Sequence, residues 1–353
     1  MIRKLFLLLV LVLYLMPKGV SQELRDLEAA TTSGQSMLFD YRLHRNPAFI
    51  YRYLHHHDST KKLHLVHLYR GSVIYNDQPD KKELPDQKGH YKLDFQLEPY
   101  YTSRFGDVDD PFRTQIGLGP LLQWNSRWGL YGIFQWLIPL QNDFKSIIGF
   151  GHRPGEVGIG YTKIFHQRSF INLFAGTFNN RRYGLSGEFI QMNQEGTIYY
   201  GGGIFYSGAY VFTDQTFIRE VVDYVSGYLF FAYRFPKPDI TLRLTGERYL
   251  FDDHGFKFEA LRQFGNTDIG FYGQKSQNGV NGGIMVAFSL WPRKFYNNRW
   301  FQARLPHSFR FQYDLKSATT QTGRSVSNQT DFFYDILRFN PKYIENQEAN
   351  PIR

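Results

Sequence analysis

The sequence predicts an all-β fold, a transmembrane antiparallel β-barrel of about 12–14 strands, with a small N-terminal α+β periplasmic segment ahead of it. Three observations predict it: an export-type leader, a run of short segments with period-two alternation, and an unusual stock of aromatic residues. Tyr, Phe and Trp make up 18% of the chain, yet its mean hydropathy is only −0.42. A helical membrane protein cannot be that hydrophilic. A closed membrane barrel can, because each strand turns one apolar and one polar face, with aromatic girdles at both interfaces.

The leader comes first. Arg3 and Lys4 precede an apolar run from Leu5 to Met16, Pro17 breaks it, and Gly19-Val20-Ser21 supplies small residues for cleavage before Gln22. The run is too short to span a bilayer and so reads as a signal, residues 1–21, of an exported protein. The chain has no cysteine, which excludes a Cys-linked lipid anchor and any disulfide. Without Arg3, Lys4 and Lys18 the formal charge of +9 falls to about +6, a mild basic excess that says little about partners.

Residues 22–80 read as a small periplasmic domain. It holds a helix candidate at Glu23–Ala30 and an alternating strand over Leu63–Tyr75 that turns near Gly71-Ser72. The polar, two-proline stretch 76–90 contains the linker, placed at 81–90. The barrel is placed at 91–339 and a C-terminal tail at 340–353.

Within the barrel, strand-like runs follow one another between Gly, Pro, Asn and Asp. They are Tyr91–Ser103, Phe112–Asn125, Gly129–Pro139, Gly155–Phe165, Ser169–Phe178, Tyr183–Asn193, Thr197–Tyr210 and Tyr224–Phe235. Then come Ile240–Leu250, Gly255–Phe264, Thr267–Gln274, Gly279–Leu290 and His307–Leu315, with a last run at Asp331–Phe339. The closing strand is expected in one of these last two runs, with the tail hanging free. In the first run Lys92, Asp94, Gln96 and Glu98 share one face, and Leu93, Phe95, Leu97 and Tyr101 the other. Arg113, Gln115 and Gln123 oppose Ile116, Leu118 and Trp124, while Arg243 and Glu247 oppose Leu242 and Leu244. Lys257 and Glu259 oppose Phe256 and Phe258. Such alternation means that one face meets water and the other something apolar. A secreted β-sandwich would alternate too, but it does not call for aromatic residues crowded at strand ends.

The water-facing parity makes Lys92, Asp94, Glu98, Arg113, Arg243, Glu247, Lys257 and Glu259 the lumen-facing candidates. Two readings stay open: these side chains guide a hydrophilic solute or polymer, or they pair with one another and plug the barrel. No catalytic constellation stands out; there is no Gly-x-Ser-x-Gly elbow, Walker loop or His-Glu-x-x-His helix. The His55-His56-His57 run, with His64 and His67, lacks acidic or Cys partners at ligand-like spacing and reads as solvated loop histidines. Ser186, Ser226 and Ser289 leave an outer-membrane lipid hydrolase as one rival, and a general porin is the other. The reading calls for no catalytic residue, cofactor, metal or nucleic-acid partner.

The stretch from Glu247 to Lys294 resembles the closing half of the YjbH family of outer-membrane proteins. The likeness is carried by Arg248-Tyr249, Asp253-His254-Gly255, the turn from Arg262 to Thr267, Gly282-Gly283 and Leu290-Trp291-Pro292. The segment from Gly176 to Gly184 is similar to that family's Gly-x-Phe hairpin, and Arg45-Asn46-Pro47 to the small domain before its barrel. The resemblance implies a non-enzymatic outer-membrane protein with a periplasmic part, working in exopolysaccharide or capsule secretion. Its implied partners are the polymer, other polysaccharide-export proteins and outer-membrane lipid.

Overall fold

Runs that alternate apolar and polar residues fold as strands whenever one face can be buried, and here nearly every such run does. The computed structural model describes residues 37–39, 64–69, 72–76, 93–105, 112–126, 129–143, 151–165, 168–178, 181–212, 217–219, 224–264, 267–288, 290, 295–297, 300–306, 309–315, 323–326, 332–338 and 340. The leader, the helix candidate at Glu23–Ala30 and the linker lie outside them. Within the predicted N-terminal domain, β1 (Met37–Phe39), β2 (His64–Tyr69) and β3 (Ser72–Asn76) form a three-stranded sheet in the order β1-β3-β2. The β2–β3 hairpin bends where Gly71-Ser72 predicts a turn.

All the other strands belong to one 16-stranded sheet. Its long strands are β4 (Leu93–Phe105), β5 (Phe112–Asn125), β6 (Leu130–Asn142), β7 (Arg153–Phe165), β8 (Ser169–Phe178), β9 (Arg182–Met192) and β10 (Ile198–Phe212). After the short β11 (Phe217–Arg219) come β12 (Tyr224–Phe235), β13 (Ile240–Arg248), β14 (His254–Phe264), β15 (Thr267–Ser276) and β16 (Gly279–Phe288). The last strands are β17 (Phe295–Asn297), β18 (Phe301–Arg304) and β19 (Phe309–Leu315). Sequence neighbours from β4 to β10 and from β12 to β16 pair antiparallel, β10 pairs with β12, and β16 with β19. The hairpin turns on one end of this meander are short, at 126–129, 166–168, 193–197, 236–239 and 265–266. The β16–β19 connection at the same end, 289–308, is long and carries β17 and β18. On the other end the connections 143–152 and 213–223 are longer.

The hydrogen-bonded path is open. Strands β4 and β19 approach each other but share no ladder. Successive antiparallel steps leave them running in the same direction, and β18 already pairs parallel with β4, from Phe301↔Leu93 to Arg304↔Gln96. A continuous antiparallel closure between first and last strands is therefore not formed. The short strands β17 and β18 were not anticipated from alternation, being too brief to show a period.

The expected strand at Asp331–Phe339 is a helix instead, α1 (Phe332–Arg338). Phe332, Phe333, Ile336 and Leu337 are buried there, a spacing of three and four that belongs to a helical stripe rather than to alternation. Nor does the tail begin free of the fold, because Asn340 is buried.

Candidate functional site

The faces of the large sheet are inverted relative to a water-soluble protein. On the exposed side stand Ile116, Leu122, Trp124, Phe134, Ile138, Leu173, Leu185, Phe189, Leu244, Phe258 and Phe271. On the buried side stand Gln96, Gln115, Gln123, Gln135, Glu156, Asn172, Glu188, Arg234, Arg243 and Glu259. Adjacent strands present their apolar residues in rows, as in Tyr200↔Phe231↔Leu244↔Phe258 across β10, β12, β13 and β14. Toward the short-turn end the exposed residues are repeatedly aromatic: Trp124, Phe165, Tyr233, Phe235 and Phe288.

The buried face carries a chain of paired charges and amides. At its first edge the Arg304 guanidinium donates to both Asp94 carboxylate oxygens, at 2.9 Å from Nη2 and 3.1 Å from Nε, and Gln96 donates to Asp94 at 2.9 Å. Gln135 donates to Glu98 at 2.8 Å. Further round, Tyr131 and Thr162 both donate to the Asn172 carbonyl oxygen, Asn172 donates to Glu188 at 3.1 Å, and the Tyr228 hydroxyl donates to Glu188 at 2.8 Å. Room for Tyr131 comes from Gly160 opposite it on β7, where any Cβ would collide with the Tyr131 ring. Arg234, fully buried, reaches Asp239 at 2.7 Å and Gln263 at 2.8 Å. Leu121, Tyr131, Ile133, Phe174, Phe178, Phe205 and Leu250 fill the space between these polar groups.

The densest electrostatic knot lies on β13 and β14. Glu259, 4% exposed, takes Lys257 Nζ at 2.8 Å and Arg243 Nη1 at 3.6 Å. Arg243 also sits 4.5 Å over the Phe230 ring and 4.6 Å over Phe333, a second way to hold a buried cation. The Tyr334 hydroxyl completes the knot, donating to Glu259 at 2.8 Å.

Phe333 and Tyr334 belong to α1, so the C-terminal segment packs against the buried face. It enters at the end with the longer connections, where the Gly323 N–H donates to Asp253 at 2.9 Å and Gln274 donates to the Gly323 carbonyl at 3.1 Å. Gly323 holds φ of 60°, and a Cβ there would collide with Gln274, so only glycine suits the position. Burial pushes the Asp253 carboxyl up, but the backbone N–H of Gly323 and neighbouring donors outweigh it and hold the group below its usual range. Val326 joins the aromatic cluster, Phe333 meets Tyr199 and Phe230 edge-on, and Arg310 stacks on Tyr334. At the short-turn end Asn340 donates to the Gly196 carbonyl at 2.6 Å and to the Tyr199 hydroxyl. The segment thus follows the buried face from one end of the strands to the other.

Of the sequence-predicted residues, Asp94, Glu98, Arg243, Glu247, Lys257 and Glu259 all lie on this face, and Arg243, Lys257 and Glu259 are brought into one cluster. Lys92 and the Arg113 side chain lie outside the described residues, as do His55-His56-His57, the side chains of His64 and His67, and Ser289. Ser186 and Ser226 are buried, and their hydroxyls have no hydrogen-bond partner among the described residues. Among the described residues no His, Cys, Asp and Glu side chains gather in a metal-holding group. Sequence reasoning missed Arg304 and Tyr334 because Arg304 pairs with Asp94, 210 residues away, and Tyr334 comes from α1. It missed Arg234, Asn172 and Glu188 because alternation does not show which neighbouring strand or turn residue a polar side chain meets. The turn residues singled out by resemblance sit at hairpin ends: Arg248-Tyr249 and Asp253-His254-Gly255 flank the β13–β14 connection, and Arg262–Thr267 spans the β14–β15 turn. Compared with known proteins, the chain matches no family model and no curated protein.

Proposed function

We propose that this chain is a non-enzymatic outer-membrane β-barrel that takes part in exopolysaccharide or capsule secretion. The observation that carries the membrane reading is the inverted sheet, with charged and amide side chains on the buried face and Leu, Ile and Phe on the exposed one. In water such a sheet would expose a large continuous apolar surface, whereas in a bilayer the same surface is solvated and the aromatic row at the short-turn end marks an interface. Strands of 9 to 15 residues, such as β13 and β10, are long enough for tilted crossing. No helix among the described residues is long and apolar enough to cross a membrane, which says nothing of crossing by strands. Short turns would face the periplasm, and β4 enters from that end.

The role in polysaccharide secretion rests on the resemblance of residues 247–294 to the YjbH family. The tail packed along the buried face and the paired charges around it favour a platform for the export machinery over an open conduit. They also weigh against a general porin. Passage of a polymer would require residues 323–340 to withdraw.

The test is sugar analysis of fractionated cells lacking the protein, beside a complemented strain. Loss of surface polysaccharide is expected. Unchanged surface polysaccharide in every fraction would overturn the secretion role while leaving the barrel reading intact, and bilayer conductance of the intact chain would return the porin reading.

A further inference from the structure

The exposed face carries one feature that a smooth apolar belt does not need. Across β10, β12, β13 and β14, toward the end with the longer connections, the outward row reads Ile204↔Gly227↔Arg248↔His254. The next row inward along the strands reads Gly202↔Leu229↔Gly246↔Phe256↔Lys275. Glycines at 227 and 246 leave a groove of about 1050 Å3 between walls formed by Ile204, Leu229 and Phe256. Those walls are 61%, 75% and 66% exposed, among the most exposed apolar side chains of the sheet. A β-strand surface in lipid gains contacts wherever acyl chains fill such a gap, and here the gap lies beneath a cluster of cations.

The rim chemistry says which. Arg248, His254 and Lys275 are outward-facing, and all three line the groove. The carboxylate facing them is Asp252, 2.8 Å from Arg248, in a pair whose side chains are 60% and 87% exposed. An exposed pair of this kind contributes little, so Arg248 can exchange Asp252 for a stronger anion. Glu247 also lines the groove, but it lies on the opposite parity, half-buried, where its carboxylate accepts a hydrogen bond from Ser325 and faces Lys257 and Arg243. Below the cations the surface is wholly apolar, through Phe231, Leu244 and Phe258.

We propose that this groove binds a phosphorylated, multiply acylated membrane lipid, its chains lying along the Gly227–Gly246 floor and its phosphate held by Arg248, His254 and Lys275. Arg is suited to fork onto phosphate oxygens and Lys to act as a point charge beside it. The apolar belt would set the depth of the acyl chains, which places the phosphate at the outer rim. This inference rests on the barrel reading.

The experiment uses the full chain purified in detergent, with bound lipid counted by native mass spectrometry. The probes are bisphosphorylated hexa-acyl lipid A, its dephosphorylated form and inorganic phosphate. Selective retention of the phosphorylated lipid is expected, with no competition from inorganic phosphate. R248S/K275S should weaken retention by about tenfold or more, roughly the loss of two exposed charge contacts. G246L, whose new side chain would sit beside the Phe256 ring, should displace the acyl chains while sparing the cations. Equal retention of both lipids, or undiminished binding by both variants, would overturn the proposal. Failure of the unmodified chain to insert into phospholipid vesicles would overturn the barrel reading and this site with it; insertion without phosphate selectivity overturns the site alone.

Discussion

On β13 and β14 the two faces of the same two strands differ as much as two proteins would. One face carries Arg243, Thr245, Lys257 and Glu259, closed over by Tyr334 of the C-terminal helix. The other carries Leu242, Leu244, Phe256 and Phe258 with no described side chain packed over them as a layer, and Leu244 is 53% exposed. The buried face is held by geometry: each charge needs its particular partner, because an unpaired charge out of water is strongly unfavourable. Among the described residues nothing packs over the exposed face as a layer, and under the proposed membrane reading its residue types answer to the medium outside. Specificity therefore resides on the buried face, and the exposed face is where that reading can be tested.

Breaking the buried face should have the largest effect. Glu259→Leu leaves Arg243 and Lys257 without their shared carboxylate and should destabilise the fold by about 3–5 kcal/mol, read as a lower urea midpoint in refolding from vesicles. A change below about 1 kcal/mol would mean that Arg243 is held mainly by Phe230 and Phe333 rather than by charge pairing.

The exposed face sharpens the comparison next. Leu244→Arg should cost about 2–4 kcal/mol in vesicles if this row lies near the bilayer midplane. On a water-facing surface the same change would be within about 0.5 kcal/mol. A near-zero result in vesicles would remove the membrane reading of this face.

The smallest effect lies where tail and sheet meet. Because hydrogen bonds hold the Asp253 carboxyl below its usual range, they favour the charged form in the folded state. The sign follows: this contribution is fully present above the unfolded Asp value and is lost as pH falls through the lowered folded value. Amide exchange at Gly323 should stay slow down to that range and speed up below it. Asp253→Asn should abolish that acid step and weaken the local docking by about 1.5–3 kcal/mol, the scale of a hydrogen bond to a charged group.

Much of this was legible in the chain because a strand writes its two environments in alternate letters. Asp94 and Leu93, or Glu259 and Phe258, could be assigned to opposite faces with no knowledge of their neighbours. Hairpin ends were legible as well, since Gly, Asn and Asp mark tight turns such as 265–266 and 236–239. The segment Asp331–Phe339 was misread because a short apolar run is compatible with either period, and length alone does not separate a strand from a short helix. The pairing of Asp94 with Arg304, 210 residues apart, has no local signal at all.

By itself, then, the sequence determined the strand-rich architecture and the parity of each long strand, because these follow from backbone geometry and residue type, whereas only the tertiary structure decided that the polar parity is the buried one. Tertiary structure alone decided how the polar face is satisfied: which carboxylate meets which guanidinium, and that the C-terminal helix lies across it. It also decided that β18 takes the parallel place beside β4, leaving the hydrogen-bonded path open. Those outcomes depend on which distant strands become neighbours, and a local pattern of side chains carries no record of its partners' positions.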